Sequence, residues 1–259
     1  MSNLPPIAEL LEVAADVAWT GGRSTLSRFN TRLPVEMKAD GSPVTVADRE
    51  AEKLMRALIR ERYPDHGIVG EEFGVEPGRV PVRWIIDPID GTRTFIRGVP
   101  FYGTLVGVEV AGEPVVGAIA IPGLDELVVA GRGLGCTWNG RRCRVSETTA
   151  LPDALAVATD YRAARERLGD ARMNAFESAI GTHRTWADCY GYVLVATGRA
   201  ELAMDAVMAI WDNAALLPVI EEAGGTFTDW TGARRIDGGD AVATNGRLHA
   251  EALRLLGAG

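Results

Sequence analysis

Residues 84–95 read WIIDPIDGTRTF. The apolar run Trp84-Ile85-Ile86 marks the end of a buried strand, and Asp87 and Asp90 follow at once. A buried strand that finishes on two carboxylates three residues apart has a use for concentrated negative charge. Pro88 stiffens the turn and lacks an N–H. The Ile89 carbonyl is thereby released from the strand ladder, and both carboxylates can flank one point. Gly91, Thr92 and Arg93 come next and open what reads as the first turn of a helix. Helix N-termini offer free N–H groups and a positive dipole, which suit a phosphate. Gly91 lets the backbone approach such a group closely.

Two further carboxylates stand where apolar elements stop: Glu71 in VGEEFG (69–74) and Asp212 in IWDNAA (210–215). Gathered together, Glu71, Asp87, Asp90 and Asp212 would repel one another strongly in a low-dielectric site, and a hard divalent cation would relieve that repulsion. An all-oxygen donor set favours Mg2+ or Mn2+ over Zn2+. Cation, amides and the Thr92 hydroxyl together make a kit for hydrolysing a phosphate ester. Each residue also has a plainer reading. Asp212 is a natural N-cap for the helix that follows, Asp48 completes a capping box with Thr45, and Glu71-Glu72 alone would be a solvated turn.

Outward from these stretches, residues 6–20 have helical periodicity, with Gly21-Gly22 as the expected stop. Residues 46–62 read as a second helix, closed by Tyr63-Pro64. Residues 103–146 break into strands separated by Gly, Pro and Asn-Gly turns, the pattern of antiparallel hairpins. Beyond about residue 150, strand and helix candidates alternate, an α/β texture. The expected organisation is a mixed α/β fold in two closely joined parts, an N-terminal half (1–147) and a C-terminal half (148–259), with the acidic residues at their junction.

The chain's net charge of −8 argues against general binding to nucleic acid or anionic membranes. No apolar run nears the roughly 20 residues of a membrane span, and the first residues lack a signal-type pattern. The three cysteines, Cys136, Cys143 and Cys189, read as reduced thiols of a cytoplasmic protein. His66, His183 and His249 are scattered and read as structural or surface residues.

The segments GEE, WIIDPIDGT and WDNAALLPVIEEAGG resemble, in wording, order and spacing, the three signature motifs of the inositol monophosphatase-like family. These are Mg2+-dependent, lithium-sensitive phosphomonoesterases, and the similarity runs over essentially the whole chain. It implies the family's layered α-β-α-β-α sandwich, shared with fructose bisphosphatases. It also implies two or three Mg2+ (or Mn2+) ions held by Glu71, Asp87, Asp90, Asp212 and the Ile89 carbonyl. Thr92 with Asp48 or Glu71 would activate a metal-bound water for direct attack on phosphorus. Gly91, Thr92 and Arg93 would hold the phosphate, and the active form would be a homodimer.

The stretches 87–109 and 184–198 (RTWADCYGYVLVATG) resemble the histidinol-phosphatase branch, and so imply a role in histidine biosynthesis. A cationic alcohol wants a carboxylate in its pocket. Asp188 is the candidate, with Asp205 and Arg184 as further substrate-binding positions. Asp205 stands where relatives carry Glu, and ADC replaces their GDC. Inositol-1-phosphate and a 3'-phosphorylated nucleotide such as adenosine bisphosphate are the alternative substrates. A catalytically silent scaffold is the alternative outside enzymes, and the intact carboxylates and Thr92 speak against it.

Overall fold

The computed structural model describes residues 4–186 and 188–257. The N-terminal part contains α1 (Ile7–Thr25), the small hairpin β1 (Glu36–Met37) and β2 (Pro43–Val44), and α2 (Val46–Arg62). Next come β3 (Gly67–Gly70), β4 (Gly74–Glu76), β5 (Val82–Asp90) and the single turn α3 (Thr92–Phe95). An antiparallel run follows: β6 (Gly103–Val110), β7 (Glu113–Ile121), β8 (Glu126–Gly131), β9 (Gly135–Trp138) and β10 (Arg141–Arg142). The remainder contains β11 (Leu155–Ala158), α4 (Tyr161–Leu168), α5 (Asp170–Ala179), β12 (Thr182–Arg184), α6 (Cys189–Ala196) and β13 (Leu202–Asp205). It closes with α7 (Ile210–Glu222), β14 (Thr226–Thr228), β15 (Ala241–Thr244) and α8 (His249–Leu256).

The strands of residues 67–142 form an eight-stranded sheet in the order β10-β9-β8-β7-β6-β5-β3-β4. Only β3 and β5 pair in parallel within it. The strands of residues 155–244 form a second sheet, β12-β11-β13-β15-β14, in which β11 runs parallel to both its neighbours. Residues 143–154 link the last strand of one sheet to the first strand of the other.

Side-chain alternation along β5 explains the layering. Trp84 and Ile86 point into the core beneath α1 and α2, whereas Ile85 points the other way, into the core shared with α6 and α7. Successive strand residues face opposite sides of a sheet, so a strand apolar throughout is buried on both faces. Helices α4, α5 and α8 close a third core on the outer side of the second sheet. The result is the five-layer α-β-α-β-α sandwich that the motifs implied.

Two local features place the functional residues. Helix α2 begins with a capping box: the Asp48 carboxylate accepts the Thr45 amide at 2.8 Å, and the Thr45 hydroxyl accepts the Ala47 amide at 3.1 Å. Helix α7 lies unusually close to the large sheet because Gly107 and Gly117 lie beneath Ala214 and Ala215. A Cβ on Gly107 would fall 2.6 Å from the Ala214 backbone carbon, so any side chain there would push α7 away.

The expected end of the first helix at Gly21-Gly22 is wrong; α1 continues through both to Thr25. The reason is tertiary. A Cβ on Gly21 would sit 2.7 Å from the Met55 side chain and one on Gly22 3.2 Å from Thr104 Oγ1, so these glycines make room for α2 and for the large sheet rather than stopping α1. Among the described residues no helix is long and apolar enough to cross a membrane.

Candidate active site

Strand β5 delivers Asp87 and Asp90 through an irregularity. Asp87 pairs with Leu105 and Asp90 with Gly103, so three steps on β5 match two on β6. An extra residue of this kind bends a strand and re-aims its side chains. The Asp87 carboxylate then accepts the Ile89 amide at 2.9 Å, and the Pro88 carbonyl is taken by Thr104 at 2.7 Å. Helix α7 brings Asp212 to the same place. One carboxylate oxygen from each of Asp87, Asp90 and Asp212 lies within 4.8 Å of the other two.

Asp212 is not the N-cap that its position suggested. Helix α7 starts two residues earlier, at Ile210, and Asp212 reaches back to the Ala209 amide at 2.6 Å. One carboxylate can cap the helix and still present its other oxygen to the cluster.

The electrostatics have one direction. Burial first, then the charges of Glu71, Asp90 and Asp212, push the Asp87 carboxyl well above the ordinary range. Burial and then Asp188 and Asp212 do the same to Asp90. Asp212 is pushed up to about 7, mainly by burial. Carboxyls that resist ionisation because they are buried and, next, because they repel one another make a site for positive charge, and oxygen donors alone fit a hard divalent cation. Glu71 lies outside the tight group of three but close enough to raise Asp87 and Asp212.

Glu71 also has a partner that sequence reasoning missed. Lys38, at the tip of the β1–β2 hairpin, donates to Glu71 at 2.7 Å and to Glu72 at 2.6 Å. Burial opposes its charge, but the two carboxylates outweigh burial and raise its pKa. The acidic turn rests on buried Glu52, which accepts the Glu72 amide at 2.7 Å and pairs with Arg56.

Thr92 lies on the first turn of α3, after Gly91 in the left-handed conformation (φ 85°). Its hydroxyl lies 3.2 Å from both Asp48 Oδ1 and the Ile89 carbonyl. Asp48 Oδ2 accepts the Thr45 amide and hydroxyl, so this carboxylate caps α2 with one oxygen and faces Thr92 with the other. Burial raises the Asp48 pKa, and the Thr45 and Thr92 hydrogen bonds oppose it. Arg93 is turned aside: its guanidinium donates to the Gly41 carbonyl at 2.9 Å, tying the hairpin to α3.

Asp188 enters the site from the start of α6. Its Oδ2 accepts the Thr94 hydroxyl at 2.8 Å, and its amide donates to Thr159 Oγ1 at 2.9 Å. It packs so tightly on the Gly91 turn that a Cβ on Gly91 would fall 2.5 Å from Asp188 Oδ2. Its backbone, at φ 54° and ψ −151°, is in a region other residues leave to glycine. The next amide, Cys189 N, donates to Asp90 at 2.6 Å. The sheet, α3 and α6 therefore converge on one point.

Asp205 is buried nearby, but its oxygens are engaged by the Thr159 amide at 2.8 Å and the Tyr192 hydroxyl at 3.1 Å. Burial pushes it up to about 7. Arg184 lies on the exposed edge strand β12, donating to the His183 carbonyl and lying over Trp186. Among the described residues it makes no ion pair or hydrogen bond with the cluster. The histidines are engaged elsewhere: His66 accepts from Trp84, His183 meets Tyr161, and His249 lies between Thr228 and Thr244.

The comparisons agree with this geometry. A sequence profile described as the inositol monophosphatase family matches residues 7–258. A histidinol-phosphatase of Chlorobaculum parvum is 41% identical over 251 residues, covering 96% of this chain and 97% of that protein. One from Streptomyces coelicolor is 36% identical, covering 96% and 95%. The crystal structure of the extragenic suppressor protein SuhB of Bartonella henselae superposes with a TM-score of 0.89 at 30% identity, covering 97% of this chain and 99% of that one. The chain belongs to the inositol monophosphatase family. Within it the protein is a phosphoric monoester hydrolase, with the histidinol-phosphatases among its near relatives.

Proposed function

We propose that this enzyme hydrolyses histidinol phosphate to histidinol and phosphate, with Mg2+ as its cofactor. The observation that carries the substrate is Asp188. A strained, partly buried carboxylate pinned against the phosphate-binding turn is costly to build, and a cationic alcohol such as histidinol supplies the charge it lacks. The relatives named histidinol-phosphatase support the same reading.

In this reading Asp87, Asp90, Asp212 and the Ile89 carbonyl hold the divalent cation, with Glu71 at its side. When bound, such a cation lowers the pKa of water and neutralises charge on phosphate oxygens and the departing alkoxide. The protein's own residues do the rest. The Thr92 and Arg93 N–H groups, which lie ahead of the Thr94 and Phe95 amides already bonded to the Gly91 carbonyl, receive the phosphate oxygens. Thr92 Oγ1 takes a proton from the attacking water and passes its own to Asp48 Oδ1. Burial makes Asp48 more basic than an ordinary carboxylate, which suits that task. The water attacks phosphorus opposite the leaving oxygen, and positioning and charge do most of the work.

The test is a substrate profile of the purified enzyme with Mg2+ and with EDTA. Histidinol phosphate should be hydrolysed with the highest kcat/KM and only with the metal present. Preference for inositol-1-phosphate or adenosine bisphosphate would overturn the substrate, and full turnover in EDTA would overturn the metal.

A further inference from the structure

Away from the acidic cluster, Cys136 and Cys143 face one another at the edge of the large sheet. They occupy the rung beyond the Thr137–Arg142 pair of the β9–β10 hairpin, and the Cys143 amide donates to the Cys136 carbonyl at 3.2 Å. Their sulfurs are 3.4 Å apart. A disulfide needs about 2.05 Å, so two side chains moving inward by a total of about 1.4 Å would close it with the strands left in place.

The two thiols are unlike. Cys136 is buried, whereas Cys143 is partly exposed on a cleft of about 430 Å3 bordered by Arg142, Arg144 and Glu222. The Cys136 thiol beside it holds Cys143 below the usual thiol range, and the nearby Arg199 and Arg142 add to the effect. Thiolate character and access decide which thiol reacts with an oxidant. The third cysteine, Cys189, is buried, out of reach of an oxidant in solution. The arginines at the pair also oppose a bound cation, which sets it apart from a metal site.

We infer that Cys143 and Cys136 form a peroxide-oxidised dithiol, in which Cys143 reacts first and Cys136 closes the disulfide. The Cys143 thiolate attacks one peroxide oxygen and breaks the O–O bond. The departing hydroxide takes up a proton and leaves as water, and Cys143 becomes a sulfenic acid. The Cys136 sulfur then attacks the Cys143 sulfur, and the sulfenic oxygen departs with the Cys136 proton as a second water. Two thiols are oxidised and one peroxide is reduced.

The site lies beside the far end of the helix that carries Asp212. Glu222, the last residue of α7, accepts the Gly133 and Gly135 amides. At 1.5 Å per residue that end is about 15 Å along the helix from Asp212. Basal turnover of cysteine variants should therefore match the parent.

The full chain is treated with hydrogen peroxide, denatured, and analysed by thiol titration, intact mass and peptide mapping. Two of the three thiols should disappear, the mass should fall by two hydrogen atoms, and the mapped link should join Cys136 to Cys143, reversibly with reductant. Cys143→Ser should lose thiols about 10-fold more slowly or worse, the scale expected when the more thiolate-like sulfur is removed. Cys136→Ser, whose hydroxyl can still donate to the Cys143 sulfur, should lose one thiol at close to the parent rate, to a sulfenic acid trapped by dimedone. Oxygen added at Cys143 with no link, or equal oxidation rates in parent and Cys143→Ser, would overturn the inference.

Discussion

Asp188→Asn is the sharpest probe of substrate choice, because the structure isolates the charge from everything else that residue does. Asparagine has the same shape. Its Oδ1 can still accept the Thr94 hydroxyl, and its main-chain amide can still donate to Thr159. The backbone at 188 is as strained for asparagine as for aspartate, so the substitution leaves that cost unchanged. Neutralising Asp188 also relieves Asp90, whose pKa its charge raises, so the substitution should not unfold the site. What is lost is the pairing with a substrate cation. A charge-assisted hydrogen bond contributes about 1.5–3 kcal/mol, equivalent to roughly a 10- to 150-fold loss in kcat/KM for histidinol phosphate. The assay is phosphate release from histidinol phosphate and from p-nitrophenyl phosphate in parallel. The second ester carries no cation and should be cleaved at nearly the parent rate. An equal fall with both esters would refute the reasoning and return Asp188 to a structural role. The companion variant Asp188→Gly suits the backbone better, removing a strain of about 1–3 kcal/mol. It should be at least as stable as the parent in urea unfolding, while losing histidinol phosphate hydrolysis at least as severely as Asp188→Asn.

Thr92→Ala should lower kcat by about 10² and leave the melting temperature nearly unchanged, since Asp48 keeps its Thr45 partners and α2 keeps its cap; a rise in KM with kcat intact would make Thr92 a phosphate contact alone. For Asp205, pushed from 3.8 to about 7 by burial, the folded chain holds a proton that the unfolded chain has shed. Its contribution therefore falls as pH rises from about 4 to about 7, by roughly 4 kcal/mol at 1.36 kcal/mol per pH unit. Asp205→Asn should remove that slope from the difference between parent and variant urea curves, and parallel curves across the window would contradict it.

The helices, strands and mixed α/β texture were legible because they follow from local periodicity, whereas the layering came from the family resemblance. Trp84, Ile85 and Ile86 announce a strand buried on both faces, and the capping box at Thr45 and Asp48 announces the start of α2. Capping does not use up Asp48 or Asp212: a carboxylate has two oxygens, and in each residue one accepts the amide of the residue that caps the helix while the other is left to its neighbours, Thr92 for Asp48 and the acidic cluster for Asp212.

By itself the sequence singled out the candidate residues: the carboxylates at the ends of apolar elements, the Gly91-Thr92 turn, and the carboxylate at 188. Only the tertiary structure decided how they are held. Lys38 on Glu71, Thr94 on Asp188 and the Cys189 amide on Asp90 join residues 33, 94 and 99 positions apart. No window of sequence contains both partners of such a contact. The same holds for Gly21 and Gly107, whose missing side chains matter only because Met55 and Ala214 pack over them. Arg93 and Arg184 show the converse: each was plausible as a ligand to phosphate or substrate from its neighbours in the chain, yet the long, flexible side chain went to a backbone carbonyl instead. Local periodicity and charge are properties of a segment, whereas the direction of a side chain is decided by what the fold brings against it.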